Sequence, residues 1–325
     1  MTSSAQPERL RPSALRPGDT VGIVAPAGPI EPDALEAGCA ALLRLGYQPF
    51  YLHSILDREL YFAGSLERRL REVNEMFVRP EVRAVICARG GYGCNYLLPY
   101  LDLELIRANM KIFVGCSDVT TLLTYLCDAA GIVTFHGPMI AGDFARPEGV
   151  DFNAFSAAVD SGTAYQREFA ASEVEPLVQG SAEGLLYGGC LSLVCASLGT
   201  PYEVRTQGTI LFLEDLAEPP FRIDRMLMQL KLAGKFDGVR GIIFGEMLKC
   251  GQRDAQDYTL QQVIQRVLGE LRVPIAFGFK SGHVSSMNFT LPFGVQASLT
   301  VGDSVALSYE AAVQSAVAAI PTTRS

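Results

Sequence analysis

Reactive side chains occupy several places in this sequence where an apolar strand pattern ends. The stretch KIFVGCSDVT, residues 111 to 120, ends a predicted strand in Gly115 and then places Cys116, Ser117 and Asp118 side by side. A serine between a strand and a helix is where a nucleophile elbow requires it, because the sharp turn exposes the hydroxyl and the next N–H can stabilise an oxyanion. The alternative is that Ser117 or Asp118 caps the following helix. The residue types therefore indicate either acyl-transfer chemistry or a helix cap.

A serine nucleophile also needs a base, and the base needs a carboxylate that fixes its tautomer. The chain contains three histidines. His53 lies among polar loop residues and is predicted to be on the surface, whereas His136 ends a predicted strand and His283 lies in the Gly/Ser-rich stretch KSGHVSSMNFT. Glu214 and Asp215 end the apolar strand ILFLED. Local patterns thus leave two acids and two bases open as partners of the serine.

A glycine turn, ARGGYG at residues 88 to 93, follows another predicted strand. Gly90 and Gly91 would let backbone N–H groups approach an oxyanion closely, because neither carries a side chain. Phosphate binding is the rival use, but the turn matches neither the dinucleotide fingerprint nor the P-loop. The turn is therefore only weak support for another hypothesis, namely that the chain is a non-catalytic nucleotide- or ligand-binding protein.

The elements that must position these residues alternate between strands and helices. At 325 residues the chain is longer than one compact core usually grows. Continuous apolar strands joined by helices predict an α/β fold, with a doubly wound, flavodoxin- or Rossmann-like parallel-sheet domain over residues 1–150. A crossover over 151–178 and a smaller mixed α/β domain over 179–325 follow. Ligands collect at the carboxyl ends of such strands, so we expect the active site between the domains.

Composition excludes several classes of protein. The formal net charge of -8 and the absence of a basic cluster exclude nucleic acid as the partner. No apolar run is long enough to cross a bilayer, and the N-terminus lacks the apolar core of a signal peptide. The eight cysteines form no C-x-x-C pair, and with the histidines they show no ligand spacing. We therefore expect a cytoplasmic protein with reduced cysteines and no metal.

Taken together, six segments resemble the LD-carboxypeptidase family, serine peptidases that include muramoyltetrapeptide carboxypeptidase and the microcin C self-immunity hydrolases. They are PGDTVGIVAPAGP (residues 17–29), ARGGYG, FVGCSDVTTLL, TFHGPM, LFLEDLAEPPFRIDRML and FGFKSGHVSSMNFTLPFG. They occur in the family's order and span nearly the whole chain.

The resemblance implies a Ser–Glu–His triad. It makes Ser117 the nucleophile, Glu214 the acid and His283 the base, and it implies an oxyanion hole formed by the N–H groups of Gly91 and Asp118. The nucleophile would come from the first domain and its partners from the second.

The implied reaction is removal of the terminal D-alanine from murein tetrapeptides in peptidoglycan recycling, by a cytoplasmic homodimer without a cofactor. Hydrolysis of aminoacyl nucleotide antibiotics, as in the self-immunity branch, is the alternative. That branch is expected to stack an aromatic side chain on the nucleobase, and this chain contains no Trp.

A carboxypeptidase must also bind the free carboxylate of its substrate. The substrate-binding candidates are Arg89, Gly90, His136, Arg222 and Arg225. The family commonly has an aromatic residue in place of Cys116, which leaves Cys116 as an alternative nucleophile.

Overall fold

The computed structural model describes residues 8–251 and 257–315. The outer limits of the two predicted domains, at residues 1 and 325, lie outside these described residues. No helix within the described ranges combines the length and the apolar character that a membrane crossing requires.

Strands and helices alternate through most of the chain. The strands are β1 (Thr20–Val24), β2 (Gln48–Phe50), β3 (Val82–Cys87), β4 (Ile112–Gly115), β5 (Thr134–His136), β6 (Tyr165–Phe169), β7 (Glu175–Val178), β8 (Gly180–Cys190), β9 (Thr209–Glu214), β10 (Gly241–Gly245), β11 (Ile275–Phe279), β12 (Leu291–Phe293), β13 (Gln296–Val301) and β14 (Val305–Tyr309). The α-helices are α1 (Pro32–Arg44), α2 (Leu66–Val78), α3 (Leu103–Ala108), α4 (Thr120–Tyr125), α5 (Phe152–Val159), α6 (Leu191–Ala196), α7 (Pro220–Leu232) and α8 (Leu260–Leu268).

The first sheet has the order β12-β5-β4-β3-β1-β2. Strands β1 to β5 pair in parallel, as the continuous apolar runs predict, and β4 is buried along its whole length. The edge strand β12 comes from the C-terminal part of the chain and pairs antiparallel with β5. The predicted parallel-sheet region is therefore confirmed, with an antiparallel edge strand whose place in this sheet the sequence did not indicate.

The second sheet is mixed and has the order β6-β14-β13-β8-β9-β10-β11-β7. Its centre, β8 to β11, is parallel, and its outer strands pair antiparallel. The predicted crossover over 151–178 contains β6 and β7, which form the two edges of this sheet. Their short and partly polar pattern is typical of edge strands, and this is why the segment resembles a connection in the sequence.

Strand β8 is the longest of the described strands, and the sequence pattern missed it because glycine is depleted in strands. The glycines are needed because neighbouring residues approach the β8 backbone too closely for a side chain. A Cβ atom on Gly188 would lie 1.9 Å from the carbonyl oxygen of Phe212, and one on Gly189 would lie 2.4 Å from Cγ2 of Thr120. The Cys190 N–H then donates to Oγ1 of Thr120 at 3.0 Å. Strand β8 thereby joins the second sheet to the helix that follows β4.

Candidate active site

Ser117 lies on a strained turn at the carboxyl end of β4. Its φ angle is 60°, in the left-handed region that costs a non-glycine residue about 1–2 kcal/mol. The turn is tight, since a Cβ atom on Gly115 would lie 2.6 Å from Cγ1 of Val119. Neither the short 3₁₀ turn that begins at Ser117 nor helix α4 has a side-chain cap. The helix-cap alternative is therefore not what the serine does here.

The glycine turn at residues 90 and 91 packs directly against the serine. A Cβ atom on Gly90 would lie 2.7 Å from Cβ and 2.9 Å from Oγ of Ser117. The Asp118 carboxylate holds the two turns together, because its Oδ2 accepts from the Cys94 N–H at 2.8 Å. Within the described part of the chain, the N–H groups of Gly91 and Asp118 donate to no acceptor. Both predicted oxyanion donors thus belong to the turns that adjoin the serine.

Cys116 is a poor nucleophile in this setting. The side chain is buried, with 2% of its surface exposed. Burial raises the pKa of the thiol well above its ordinary value, and the charges of Asp143 and Glu214 raise it further. A neutral, buried thiol does not attack a carbonyl.

Glu214 and His283 form a buried acid–base pair, although 69 residues separate them in sequence. The Nδ1 atom of His283 lies 2.8 Å from Oε2 of Glu214, and the His283 backbone N–H donates to the same oxygen at 3.0 Å. Burial alone would raise the pKa of Glu214, but the charge of His283 and the nearby imidazole of His136 lower it to about 2. Burial is the largest single influence and lowers the pKa of His283, but the charge and hydrogen bond of Glu214, together with the charges of Asp215 and Asp143, outweigh burial and raise this pKa.

The neighbouring acid, Asp215, has other partners. Its Oδ2 accepts from the N–H of Ser192 at 2.8 Å, and its Oδ1 accepts from the N–H of Leu216 at 2.8 Å. Asp215 therefore holds backbone at the end of β9 and the start of α6. Of the two acids that the local pattern left open, Glu214 is the one bonded to a histidine.

Two side chains that the sequence patterns did not identify hold the His283 loop. Asn288 accepts from the Gly282 N–H and donates to the Gly282 carbonyl, both at 3.0 Å. Glu246 accepts from the Ser285 N–H at 2.9 Å and pairs with Lys280 at 2.9 Å. The available signal was weak, namely a polar residue in the apolar setting MNFT and an acid at the end of GIIFGE.

His136 is fully buried, so in this structure it does not reach a substrate. Its Nδ1 lies 3.0 Å from Oγ of Ser281, and its Nε2 lies 3.8 Å from Oε1 of Glu214. The ring packs against Phe212 and Phe293, with centroids 5.1 and 5.4 Å away. Strand β12 covers this end of β5, so the substrate-binding role of His136 remains a prediction that its burial does not support.

The arginine candidates differ in their surroundings. Arg89 donates to the Pro29 carbonyl at 2.9 Å and borders a cavity of about 430 Å³ that Gly91 also lines. Arg222 pairs with Glu218 on α7 at 3.3 Å, and Arg225 lies over the Phe221 ring. Arg89 is therefore the candidate that the structure connects to the glycine turn.

Strand pairing brings the two halves of the site towards each other. Gly115, two residues before the serine, pairs with His136, and Cys190 pairs with Glu214. Cys190 is also bonded to Thr120, three residues after the serine. Among residues 8–251 and 257–315, no hydrogen bond joins Ser117 to the His283 ring. The roles of the three residues thus stay a prediction that this arrangement supports.

A two-sheet α/β fold that carries a strained serine turn and a buried carboxylate–histidine pair is typical of hydrolases. Comparison with protein-family models identifies the family of hydrolases. Residues 21–137 match the LD-carboxypeptidase N-terminal domain, and residues 183–299 match the LD-carboxypeptidase C-terminal domain. The chain belongs to the LD-carboxypeptidase family, as the six sequence segments predict.

Individual relatives agree with this assignment. A probable murein peptide carboxypeptidase of Bacillus subtilis is 38% identical over 302 residues, which cover 91% of this chain and 93% of the relative. The crystal structure of muramoyltetrapeptide carboxypeptidase from Oxalobacter formigenes matches with a TM-score of 0.80 and 30% identity, covering 90% of this chain and 98% of that one. The structure of the self-immunity protein MccF in complex with aspartyl sulfamoyl adenosine matches with a TM-score of 0.85 and 25% identity. This match covers 94% of this chain and 100% of the MccF chain.

Proposed function

We propose that this protein is a serine LD-carboxypeptidase that removes the terminal D-alanine from murein tetrapeptides in peptidoglycan recycling. The main observation is the 2.8 Å contact between His283 and the fully buried Glu214, in a structure that also strains Ser117 into a nucleophile turn. The chain's family and its murein peptide relatives support the substrate.

In the first step His283 is the general base. Because Nδ1 is bonded to Glu214, Nε2 is the nitrogen that can take the Ser117 proton. The serine then attacks the carbonyl of the L-centre residue that precedes D-alanine. Glu214 fixes the tautomer of the imidazole and stabilises the imidazolium that forms.

The tetrahedral oxyanion binds to the N–H groups of Gly91 and Asp118. Removing one such donor typically costs about 10²–10³ in kcat. His283 then protonates the amine of the leaving D-alanine, and the acyl group stays on Ser117. Water, activated by the same histidine, hydrolyses this acyl-enzyme and restores the serine.

The proposal also includes a carboxylate anchor. Arg89 has the best-supported position, since it borders the cavity that contains Gly91. Its guanidinium can form a charge-assisted hydrogen bond with the terminal carboxylate. A cytoplasmic location and a homodimer remain parts of the same proposal.

The test is incubation of the purified protein with a murein tetrapeptide, with D-alanine measured over time. We expect release by the wild-type protein and by Cys116→Ala, and none by Ser117→Ala. Release that survives in Ser117→Ala and is lost in Cys116→Ala would overturn the assignment of the nucleophile. No release by the wild-type protein, with tight nucleotide binding, would favour a non-catalytic binding protein.

A second candidate function is hydrolysis of an aminoacyl nucleotide, as the likeness to MccF suggests. One feature favours it. Tyr61 and Tyr92 are exposed at the cavity beside Gly91, with ring centroids 5.9 Å apart, and could stack on a base in place of the missing Trp. Cleavage of aspartyl sulfamoyl adenosine without D-alanine release from the tetrapeptide would select this function.

A further inference from the structure

We propose that His136 is a positioning residue for Glu214: its Nε2–H is directed at Oε1, the carboxylate oxygen that receives no hydrogen bond from His283 and that lies 3.8 Å away. This extends the proposed triad by a buried arm in which Ser281 orients His136, His136 orients Glu214, and Glu214 orients His283. The inference rests on the proposed function for its kinetic test, but not for its structural one.

The two oxygens of Glu214 are in unequal environments. Oε2 receives both hydrogen bonds from His283, through the ring and through the backbone N–H. Oε1 is buried and has no hydrogen-bond partner within the described residues, and the same holds for Nε2 of His136. These two atoms lie 3.8 Å apart. A buried polar atom without a partner is costly, so two such atoms facing each other indicate an interaction.

The proposal places the His136 proton on Nε2, with the Ser281 hydroxyl as the donor to Nδ1. This hydroxyl lies 3.0 Å from Nδ1 and is fully buried. Donation of the serine proton to Nδ1 leaves the imidazole proton on Nε2, which faces Glu214. The opposite tautomer would place a lone pair of Nε2 against the carboxylate. The arrangement therefore selects the donor form of His136 towards Glu214.

The surroundings hold the ring in place. Strand β5 carries His136 between Gly115 of β4 and Leu291 of β12. A Cβ atom on Gly282 would lie 2.8 Å from Cε1 of His136 and 2.6 Å from Cδ of Glu214. A ring packed this tightly cannot turn to follow a moving carboxylate. It defines a fixed donor against which Glu214 is aligned.

A fixed donor on Oε1 has an electrostatic consequence for the base. It draws charge away from Oε2 and so limits how strongly Glu214 raises the pKa of His283. Other titratable groups also face this pair. They are Asp215 directly after β9, Asp143 after β5, and the thiols of Cys116 and Cys190. Burial raises the pKa of both thiols well above the ordinary value, so they stay neutral while His283 titrates.

The kinetic test compares two substitutions. His136→Phe removes the donor and keeps an aromatic ring against Phe212 and Phe293, whereas His136→Gln keeps an N–H at similar reach. We expect His136→Phe to lower kcat about 10- to 100-fold with little change in KM. The midpoint of the acidic limb of kcat/KM should move to higher pH, because Glu214 would hold the His283 proton more strongly. His136→Gln should keep kcat and the pH midpoint close to their wild-type values.

Matched controls separate positioning from packing. Phe293→Leu removes a packing neighbour of the ring and should lower stability without moving the pH midpoint. His53→Phe replaces an exposed histidine and should change neither quantity. Equal loss of kcat in His136→Phe and His136→Gln, with an unchanged midpoint, would show that His136 only packs.

A second measurement does not depend on turnover. Because the chain has three histidines, ¹⁵N-histidine NMR of untagged protein resolves each imidazole separately. We expect the His136 proton on Nε2 and a higher His283 pKa in His136→Phe. A proton on Nδ1, or an unchanged His283 pKa, overturns the proposal even if D-alanine is released.

If His136→Phe does not fold, Ser281→Ala serves instead. That change should mix the His136 tautomers and raise the His283 pKa by a smaller amount, and an unmixed tautomer would contradict the proposal. Failure of the wild-type protein to release D-alanine would reject the proposed function alone, since the NMR result decides the role of His136 separately.

Discussion

The two halves of the candidate site are positioned by different physical means. On the first sheet, backbone sterics place the serine, through a positive φ angle and through glycines that leave no room for a side chain. On the second sheet, hydrogen bonds to a buried carboxylate place the histidine. The first half should therefore be sensitive to added atoms, and the second to lost charge.

The difference matters because the halves carry different chemistry. The nucleophile must present one oxygen at a fixed point, and a strained turn achieves this without any titrating group. The base must change its protonation during the reaction, so its position has to depend on charge. A substitution that adds atoms tests the serine half, and a substitution that removes charge tests the histidine half.

The largest effect is expected from Glu214→Gln, which removes the charge and keeps the shape of the side chain. We expect kcat to fall about 10⁴-fold, because a triad without its ionised acid loses the stabilised imidazolium and the correct tautomer. The pH profile should change as well. Glu214 raises the pKa of His283, so the wild-type acidic limb should have its midpoint above the ordinary value of 6.5.

Glu214→Gln removes the charge that raises the pKa of His283, and burial, which is the largest single influence on that pKa, still lowers it against the smaller effects of Asp215 and Asp143. The midpoint should therefore move to lower pH, and kcat/KM against pH measures it. A variant whose midpoint equals that of the wild-type protein would mean that Glu214 does not control the base.

The next effect is expected from Gly90→Ala, which adds one methyl group beside the nucleophile. The new Cβ would lie 2.7 Å from Cβ of Ser117, so the serine or the glycine turn has to move. A displacement of about 1 Å costs roughly 10²-fold in kcat. Steady-state kinetics measures the loss, and the acidic limb should keep its wild-type midpoint, because the Glu214–His283 pair is untouched.

Gly142→Ala is the matched control for this change. A Cβ atom there meets nothing within 4 Å, and the glycine has no positive φ angle. We expect wild-type kcat. If Gly90→Ala also keeps wild-type kcat, the glycine turn does not position the serine.

The smallest effect concerns stability rather than rate. Ser117→Gly and Ser117→Ala both remove the nucleophile, but only glycine relieves the positive φ angle of 60°. We expect the glycine variant to have the higher free energy of unfolding, by about 1 kcal/mol, as measured by urea denaturation. At Ser197, where φ is -74°, the order should reverse. Equal stability of the two Ser117 variants would mean that the turn is not strained in solution.

Much of the architecture could be predicted from local pattern. Apolar runs indicate β1, β3, β4 and β9, because a parallel strand covered on both faces has to be apolar along its length. Strand β8 could not be predicted from the sequence, because its glycines allow close contacts with Phe212 and Thr120, which lie far away in sequence. Strand β12 lies within the apolar stretch TLPFGVQASLTV, which the pattern predicts to be antiparallel strand, but its pairing with β5 in the first sheet could not be predicted, because it depends on a distant part of the chain.

Local sequence determines which reactive residue types are present and at which strand ends they lie. It placed a serine, an acid and a glycine turn at the ends of apolar strands, because strand periodicity and turn residues are local properties. Six segments in family order then indicated the family, which the family models confirm.

The tertiary structure alone decided which of these residues meet. Locally, Glu214 and Asp215 were equivalent, as were His136 and His283. Packing then bonded Glu214 to His283, turned Asp215 towards backbone N–H groups and buried His136 under β12. Such choices depend on contacts between distant parts of the chain, and on the cost of leaving a buried charge without a partner.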